Sequence, residues 1–282
     1  MISFLNMKGG VGKTTLAVNV AYGLSYFNDK DVLLVDVDPQ FNATQYLVAG
    51  QHYLDYIEDE ENLTITDIFR SNPLTFPTTT GAGKKEARPK PTLENSTIKI
   101  NSWRDGPGKL DLIPSNLGLM TVETSDRGAE NRLARFLDQI KEAYDFIIID
   151  CPPTISIYTC SAFLASDFIV TPVKPDYLSS IGLPLLDSVI TKYERDYNKK
   201  IIKLGVIFNM VNTRHILDRR VMQEIRVSGR PYFTNYLRNS TTIARAVRAR
   251  QPIYRYKDSK RKHGPDINNI CNEMIQKMEN AQ

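Results

Sequence analysis

NMKGGVGKTT, residues 6–15, lies between the apolar run ISFL and the stretch TTLAVNVAYGLSYF, whose apolar residues recur at helical spacing. A strand, a glycine-rich turn and a helix in that order make a phosphate-binding loop. The usual pattern is G-x-x-x-x-G-K-[ST]. Gly12, Lys13 and Thr14 supply its end, while Met7 stands where the first glycine falls. The physics survives that change. Gly9, Gly10 and Gly12 let the backbone around Val11 turn its N–H groups inward as an anion nest. The helix that follows points its positive N-terminus at the same place. In such a loop Lys13 reaches the β- and γ-phosphates of ATP, Thr14 ligates Mg²⁺, and Thr15 completes the cradle. Lys8 is surplus to this arrangement. It leaves the strand too early to reach the nucleotide that Lys13 holds, but it can reach one presented across a symmetric interface.

Outward from the loop, short apolar runs alternate with helical patterns. VLLVDVD (32–38), LDLIPSN (110–116), FIIIDCP (146–152), FIVTPV (168–173) and LGVIFNM (204–210) read as buried strands. NRLARFLDQIKEAY, IYTCSAFLA, SIGLPLLDSVITKYERDY and LDRRVMQEI read as helices between them. That alternation predicts an α/β fold: a mostly parallel twisted sheet with helices on both faces, as in P-loop NTPases, with ligands beyond the carboxyl ends of the strands. The chain of 282 residues reads as a single domain over 1–282. Residues 71–95, rich in Pro, Thr, Gly and Lys without apolar periodicity, read as a flexible insertion. The first residues run straight into a strand without a charged leader, and no apolar run reaches about 18 residues, so a cytoplasmic protein is expected. Three cysteines at irregular spacing suggest neither a disulfide framework nor a zinc site; Cys151 reads as a small buried side chain.

KGGVGKT resembles the deviant Walker A motif of the ParA/MinD group of P-loop ATPases. The resemblance implies that Lys8 is the signature lysine, crossing to the partner's ATP in a homodimer that forms when ATP is bound. VLLVDVDPQFNAT (32–44) is similar to the family's switch I segment DxDPQGN, with Phe41 in place of the usual glycine. On that resemblance Asp36 supports Mg²⁺ and Asp38 positions the attacking water. FIIIDCPPT (146–154) resembles a Walker B strand leading into switch II, with Asp150 in the Mg²⁺ shell. TPVKPDYLSSIGL (171–183) and VIFNMVN (206–212) resemble the adenine-side segments, which implies Asn209 on adenine and Pro172 or Pro175 near the base.

The formal net charge of +4 is unevenly spread. Residues 226–262 hold eleven Lys/Arg against one acid, a net of +10 that leaves −6 for the remainder. Such a patch predicts a polyanionic partner. The segment from Tyr236 resembles the ParA type, whose ATP-bound dimers bind DNA without sequence preference. Arg238, Arg245, Arg248, Arg250, Arg255, Lys257, Lys260, Arg261 and Lys262 are the expected DNA contacts. In a helix starting near Ser240, Ile243 and Val247 share one side, with Arg245 and Arg248 on the other. The resemblance further implies weak ATPase activity stimulated by a ParB-like adaptor, partition of a plasmid or chromosome, and association with the nucleoid. The chain begins at the first strand, so operator-specific repression by this protein alone, of the kind larger relatives with an added N-terminal domain carry out, is not expected. The alternatives are a membrane-associated, MinD-like positioning ATPase, or a positioner of a non-DNA cargo. Against a membrane partner, Ile267, Ile270, Cys271, Met274 and Met278 predict a C-terminal helix with an acidic polar side, suited to packing on the core.

Overall fold

The alternation of buried strands and helices is realised in a computed structural model, which describes residues 1–70, 89–100, 108–124, 128–256 and 260–281. In chain order the strands are β1 (Ile2–Phe4), β2 (Val32–Asp36), β3 (Ile98–Lys99), β4 (Leu110–Ile113), β5 (Phe146–Asp150), β6 (Phe168–Val173) and β7 (Ile202–Phe208). The α-helices are α1 (Lys13–Phe27), α2 (Asn42–Leu47), α3 (Gly50–Glu58), α4 (Ile65–Phe69), α5 (Leu93–Ser96), α6 (Arg132–Ile140), α7 (Ile157–Ala165), α8 (Tyr177–Asp196), α9 (Ile216–Val227), α10 (Thr241–Arg248) and α11 (Lys260–Glu279).

Among the described residues the strands form one seven-stranded sheet in the order β3-β4-β2-β5-β1-β6-β7. All neighbours are parallel except the edge pair β3–β4. Strand alternation builds the two faces. Val32 and Leu34 point into one apolar cluster, with α1 and α11, while Leu33 and Val35 point into the other, with α4, α6 and α7. Helix α1 is covered on both sides, which explains why its residues from Leu16 to Ser25 are all buried. It crosses α11 at Gly23, where an added Cβ would lie 2.7 Å from both Cys271 Sγ and Ile267 Cγ2. The apolar face of α11 is thereby used up: Ile267, Ile270, Cys271 and Met274 are fully buried.

Register places the chemistry. Phe4 at the end of β1 and Asp36 at the end of β2 both pair with Asp150 at the end of β5. The phosphate loop and two carboxylates therefore emerge side by side at the carboxyl ends of three central strands, where parallel sheets take their ligands.

Two expectations bear on the structure. A flexible insertion is expected over 71–95. Residues 71–88 lie outside the described residues, but Thr92 and Asn95 form a reciprocal capping box that starts α5, and the Asn95 carbonyl accepts from Leu63 N at 2.7 Å. Helix α11 also begins at Lys260, ahead of the apolar periodicity that announces it.

A nucleotide site at the strand ends

Loop geometry begins at Asn6. Its Nδ2 donates to the Pro172 carbonyl at 2.7 Å and its Oδ1 accepts from Lys8 N at 2.9 Å, fixing the exit from β1. Gly12 caps α1 in the left-handed region at φ 77°, and a Cβ there would lie 2.4 Å from Asn209 Nδ2. Lys13 folds back over the loop, with Nζ 3.4 Å from the Lys8 carbonyl. Burial lowers its pKa, against the opposing charges of Asp150, Cys151 and Asp38.

Asp36 is fully buried and heavily engaged. One oxygen accepts from Thr44 N and Thr44 Oγ1, both at 2.8 Å, and the other accepts from Asp38 N at 3.1 Å. Burial raises its pKa to about 7 despite those donors. Asp38 accepts from Gln40 N at 2.9 Å, and its own carbonyl accepts from Ser115 Oγ at 3.0 Å. The switch segment is thus tied to the ends of β2 and β4 through Thr44 and Ser115. Phe41 adopts the left-handed region at φ 43° and stacks on Tyr53 with 5.8 Å between centroids.

Asp150 differs from Asp36. Both of its buried oxygens lack a hydrogen-bond partner among the described residues. Burial and the neighbouring Asp36 charge push its pKa well above the usual range; the Thr14 hydroxyl and the Lys13 ammonium oppose the shift. A buried carboxylate without a donor, beside a threonine at a helix N-terminus, fits a divalent cation. Among the described residues no three acidic, histidine or cysteine side chains converge as a complete cage. That suits Mg²⁺, which keeps waters and phosphate oxygens in its shell and takes few protein ligands. Asp36, expected as a second support for the ion, is first of all the anchor of the switch segment.

The phosphate loop opens onto a cavity of about 560 Å³, lined by Gly9, Gly10, Gly12, Lys13, Thr14, Thr15 and Asp38 on the loop side. That volume is within the range of small-molecule sites. The opposite wall comes from α2 and the end of α10: Gln45, Tyr46, Val247, Arg248 and Arg250. Lys8 is not among the lining residues. Its ammonium is paired with Asp176, which also caps α8 by accepting from Ser179 N at 3.0 Å. Burial alone would raise the Asp176 pKa, yet the hydrogen bonds from Lys8 and Ser179 hold it below the ordinary value.

Other expected contact residues are held as follows. Asn209 braces the phosphate loop: its Nδ2 donates to the Val11 and Gly12 carbonyls at 2.9 and 3.1 Å, and its Oδ1 accepts from Met210 N at 2.8 Å. It staples the phosphate loop from below, and Val11 is buried there. Pro172 is buried within β6, outside the cavity lining.

The basic segment is also partly neutralised. Arg238 makes a two-pronged pair with Asp266 at 3.0 and 2.8 Å and donates to the Lys262 carbonyl, so it clamps α11. Arg230, one of the eleven basic residues, pairs with Asp187. Arg245 and Lys262 are exposed. Arg255 borders a separate cleft with Tyr26, Phe27 and Tyr254. Lys260 and Arg261 open α11, and Lys257 lies outside the described residues. Four residues central to this geometry escaped sequence reading: Asn6, Thr44, Ser115 and Asp176. Only Asp176 carried a local signal, as an acceptor three residues before Ser179 at the start of a helical pattern.

Comparison with known proteins agrees with this construction. Residues 1–203 match the family model described as an AAA domain. An uncharacterized protein of Methanocaldococcus jannaschii is 32% identical over 261 residues, covering 91% of each chain. The sporulation initiation inhibitor protein Soj of Bacillus subtilis is 32% identical over 256 residues, covering 88% of this chain and 85% of Soj. The fold resembles that of cobyrinic acid a,c-diamide synthase from Mycobacterium smegmatis, solved with ADP and magnesium, at a TM-score of 0.73 and 18% identity over 100% of this chain and 96% of that one. With a glycine nest, a buried lysine and an unpartnered carboxylate converging at the strand ends, the chain belongs to the ParA/MinD family of P-loop ATPases.

Proposed function

We propose that the protein is a partition ATPase of the ParA type. It pairs on Mg–ATP, binds duplex DNA without sequence preference as a pair, and releases it after hydrolysis stimulated by a ParB-like adaptor. The observation that carries this reading is the divergence of the two loop lysines. Lys13 lines the cavity, while Lys8 lies outside it in an ion pair with Asp176. A lysine on the phosphate loop that stays outside the cavity is suited to a second subunit's nucleotide.

In this mechanism the loop N–H groups and Lys13 hold the triphosphate, and Thr14 with Asp150 would hold Mg²⁺. An ion held there would supply charge neutralisation to the triphosphate. Asp38, fixed by Gln40 N and Ser115, orients a water in line with the γ-phosphorus. Oxygen attack breaks the bond to the β-phosphate oxygen and gives ADP and inorganic phosphate. Lys8 leaves Asp176 and closes the partner's site, stabilising charge as it spreads onto the transferred group.

DNA binding draws support from Arg245 and Lys262, exposed on α10 and α11. Each copy offers a small cationic surface, and pairing gives two of them avidity with no new contact. The membrane alternative loses a candidate anchor, because α11 buries its apolar face against α1; no described helix is long and apolar enough to cross a membrane. The test is retention on random duplex DNA and on anionic vesicles with a non-hydrolysable ATP analogue and magnesium. Analogue-dependent retention on DNA that falls steeply with salt is expected. Retention on vesicles alone would overturn the proposal.

A further inference from the structure

The arginines of α10 and its following turn do not share one environment. All three are exposed, but Arg245 does not line the nucleotide cavity, whereas Arg248 and Arg250 line it with Val247. The chain holds them there by several independent contacts. Ser240 caps α10, accepting from Thr242 N at 3.3 Å, and Ala246 is buried beneath it. Arg250 then turns the chain in the left-handed region at φ 50°, which an arginine adopts only when its surroundings enforce it. Its Nε lies 3.4 Å from the Gln45 carbonyl. Beyond it, Tyr46 Oη donates to the Gln251 carbonyl at 3.1 Å and Ile253 N donates to Asn19 Oδ1 at 2.8 Å. Asn19 in turn donates to the Thr15 carbonyl at 2.7 Å and to Tyr46 Oη at 3.1 Å. The turn is therefore stitched to both helices that flank the cavity, α1 and α2.

Charge points the same way. Lys13, Arg248 and Arg250 face the cavity against one acid, Asp38. Among the described residues neither arginine has a carboxylate partner, unlike Arg230 and Arg238. A cavity with three cations and one anion suits a polyphosphate, and guanidinium binds phosphate oxygens through paired, charge-assisted hydrogen bonds.

We infer that Arg248 and Arg250 bind the phosphates of the nucleotide held by their own subunit, and are not DNA contacts. This rests on the reading of the cavity as the ATP site. The end of the basic helix then belongs to the nucleotide site itself, three residues after Arg245. Loading the cavity fixes α10 from its C-terminal end, so nucleotide binding and the DNA-facing surface share one helix.

The test is equilibrium binding of Mg–ATP and of inorganic tripolyphosphate to the full chain without DNA. Arg248→Ala, Arg250→Ala and the double variant are compared with Arg220→Ala, which removes an exposed arginine from α9. The double variant should weaken both ligands by at least about tenfold, the order expected for lost hydrogen bonds to charged groups. Arg248→Lys with Arg250→Lys should recover part of the loss, and Arg220→Ala should change neither. Arg248→Ala alone leaves the left-handed turn untouched and should still weaken both ligands. Unchanged binding in the double variant overturns the inference, as does a loss confined to ATP with tripolyphosphate unaffected. Lys13→Ala separates this from failure of the site: normal ATP affinity there removes the site reading, whereas lost affinity there beside normal affinity in the double variant removes only the arginines.

Discussion

Replacing Asp176 by asparagine releases Lys8 without dismantling the helix it caps. Asparagine is as good an N-cap as aspartate, so the hydrogen bond from Ser179 N survives, while the charge opposite Lys8 disappears. The pair is only partly shielded, with the two side chains 27% and 32% exposed, so a modest value of about 1 kcal/mol applies. If Lys8 must leave Asp176 before it closes the partner's site, each chain carries that penalty on pairing. Removing it favours release about fivefold per chain, and about thirtyfold for a dimer that needs two released lysines. The assay is the dimer dissociation constant by sedimentation equilibrium, with a non-hydrolysable analogue and magnesium at saturation. Asp176→Asn should pair about thirtyfold more tightly and keep its nucleotide affinity. Unchanged or weaker pairing refutes the reasoning, because the ion pair would then oppose nothing.

Asp38→Ala should retain ATP binding and slow hydrolysis by at least about a hundredfold, measured as phosphate release in single turnover, if that carboxylate orients the water. Arg238→Ala should lower stability at neutral pH by about 1–2 kcal/mol, because it strips the clamp from Asp266. Burial alone would raise the Asp266 pKa, but His263 and Arg238 hold it low; the stability it contributes is present above about pH 4, the unfolded value, and fades as pH falls through the lower folded value. Without Arg238 the acid-unfolding midpoint should move to higher pH, and an unmoved midpoint would remove the clamp. Phe41→Ala should be less stable than Phe41→Gly by about 1 kcal/mol in urea midpoints, since both lose the Tyr53 stack but only glycine relieves the left-handed backbone.

Local pattern carried much of the architecture and the phosphate loop. Six of the seven strands are continuous apolar runs, and the loop's glycines and lysines act within ten residues, so sequence order nearly equals spatial order. Strand β3 has only two residues and leaves no periodicity to read. What sequence left open shares one cause. The fate of a polar side chain is set by a partner far along the chain. Asn209 meets Val11 across 198 residues, Arg238 meets Asp266 across 28, and Lys8 meets Asp176 across 168. Helical spacing placed Arg245 and Arg248 off the packed side of α10, but it could not show that Arg248 lines a cavity together with α2 and the phosphate loop.

The central claim is that ATP joins two copies, each completing the other's site with Lys8. Its most direct test is the molar mass of the chain by light scattering with a non-hydrolysable analogue and magnesium, beside Lys8→Ala at the same bound fraction of nucleotide. The account predicts that the mass doubles on loading and that Lys8→Ala stays single while still binding nucleotide. A loaded chain that remains single, or a Lys8→Ala chain that pairs as tightly as the original, would contradict it.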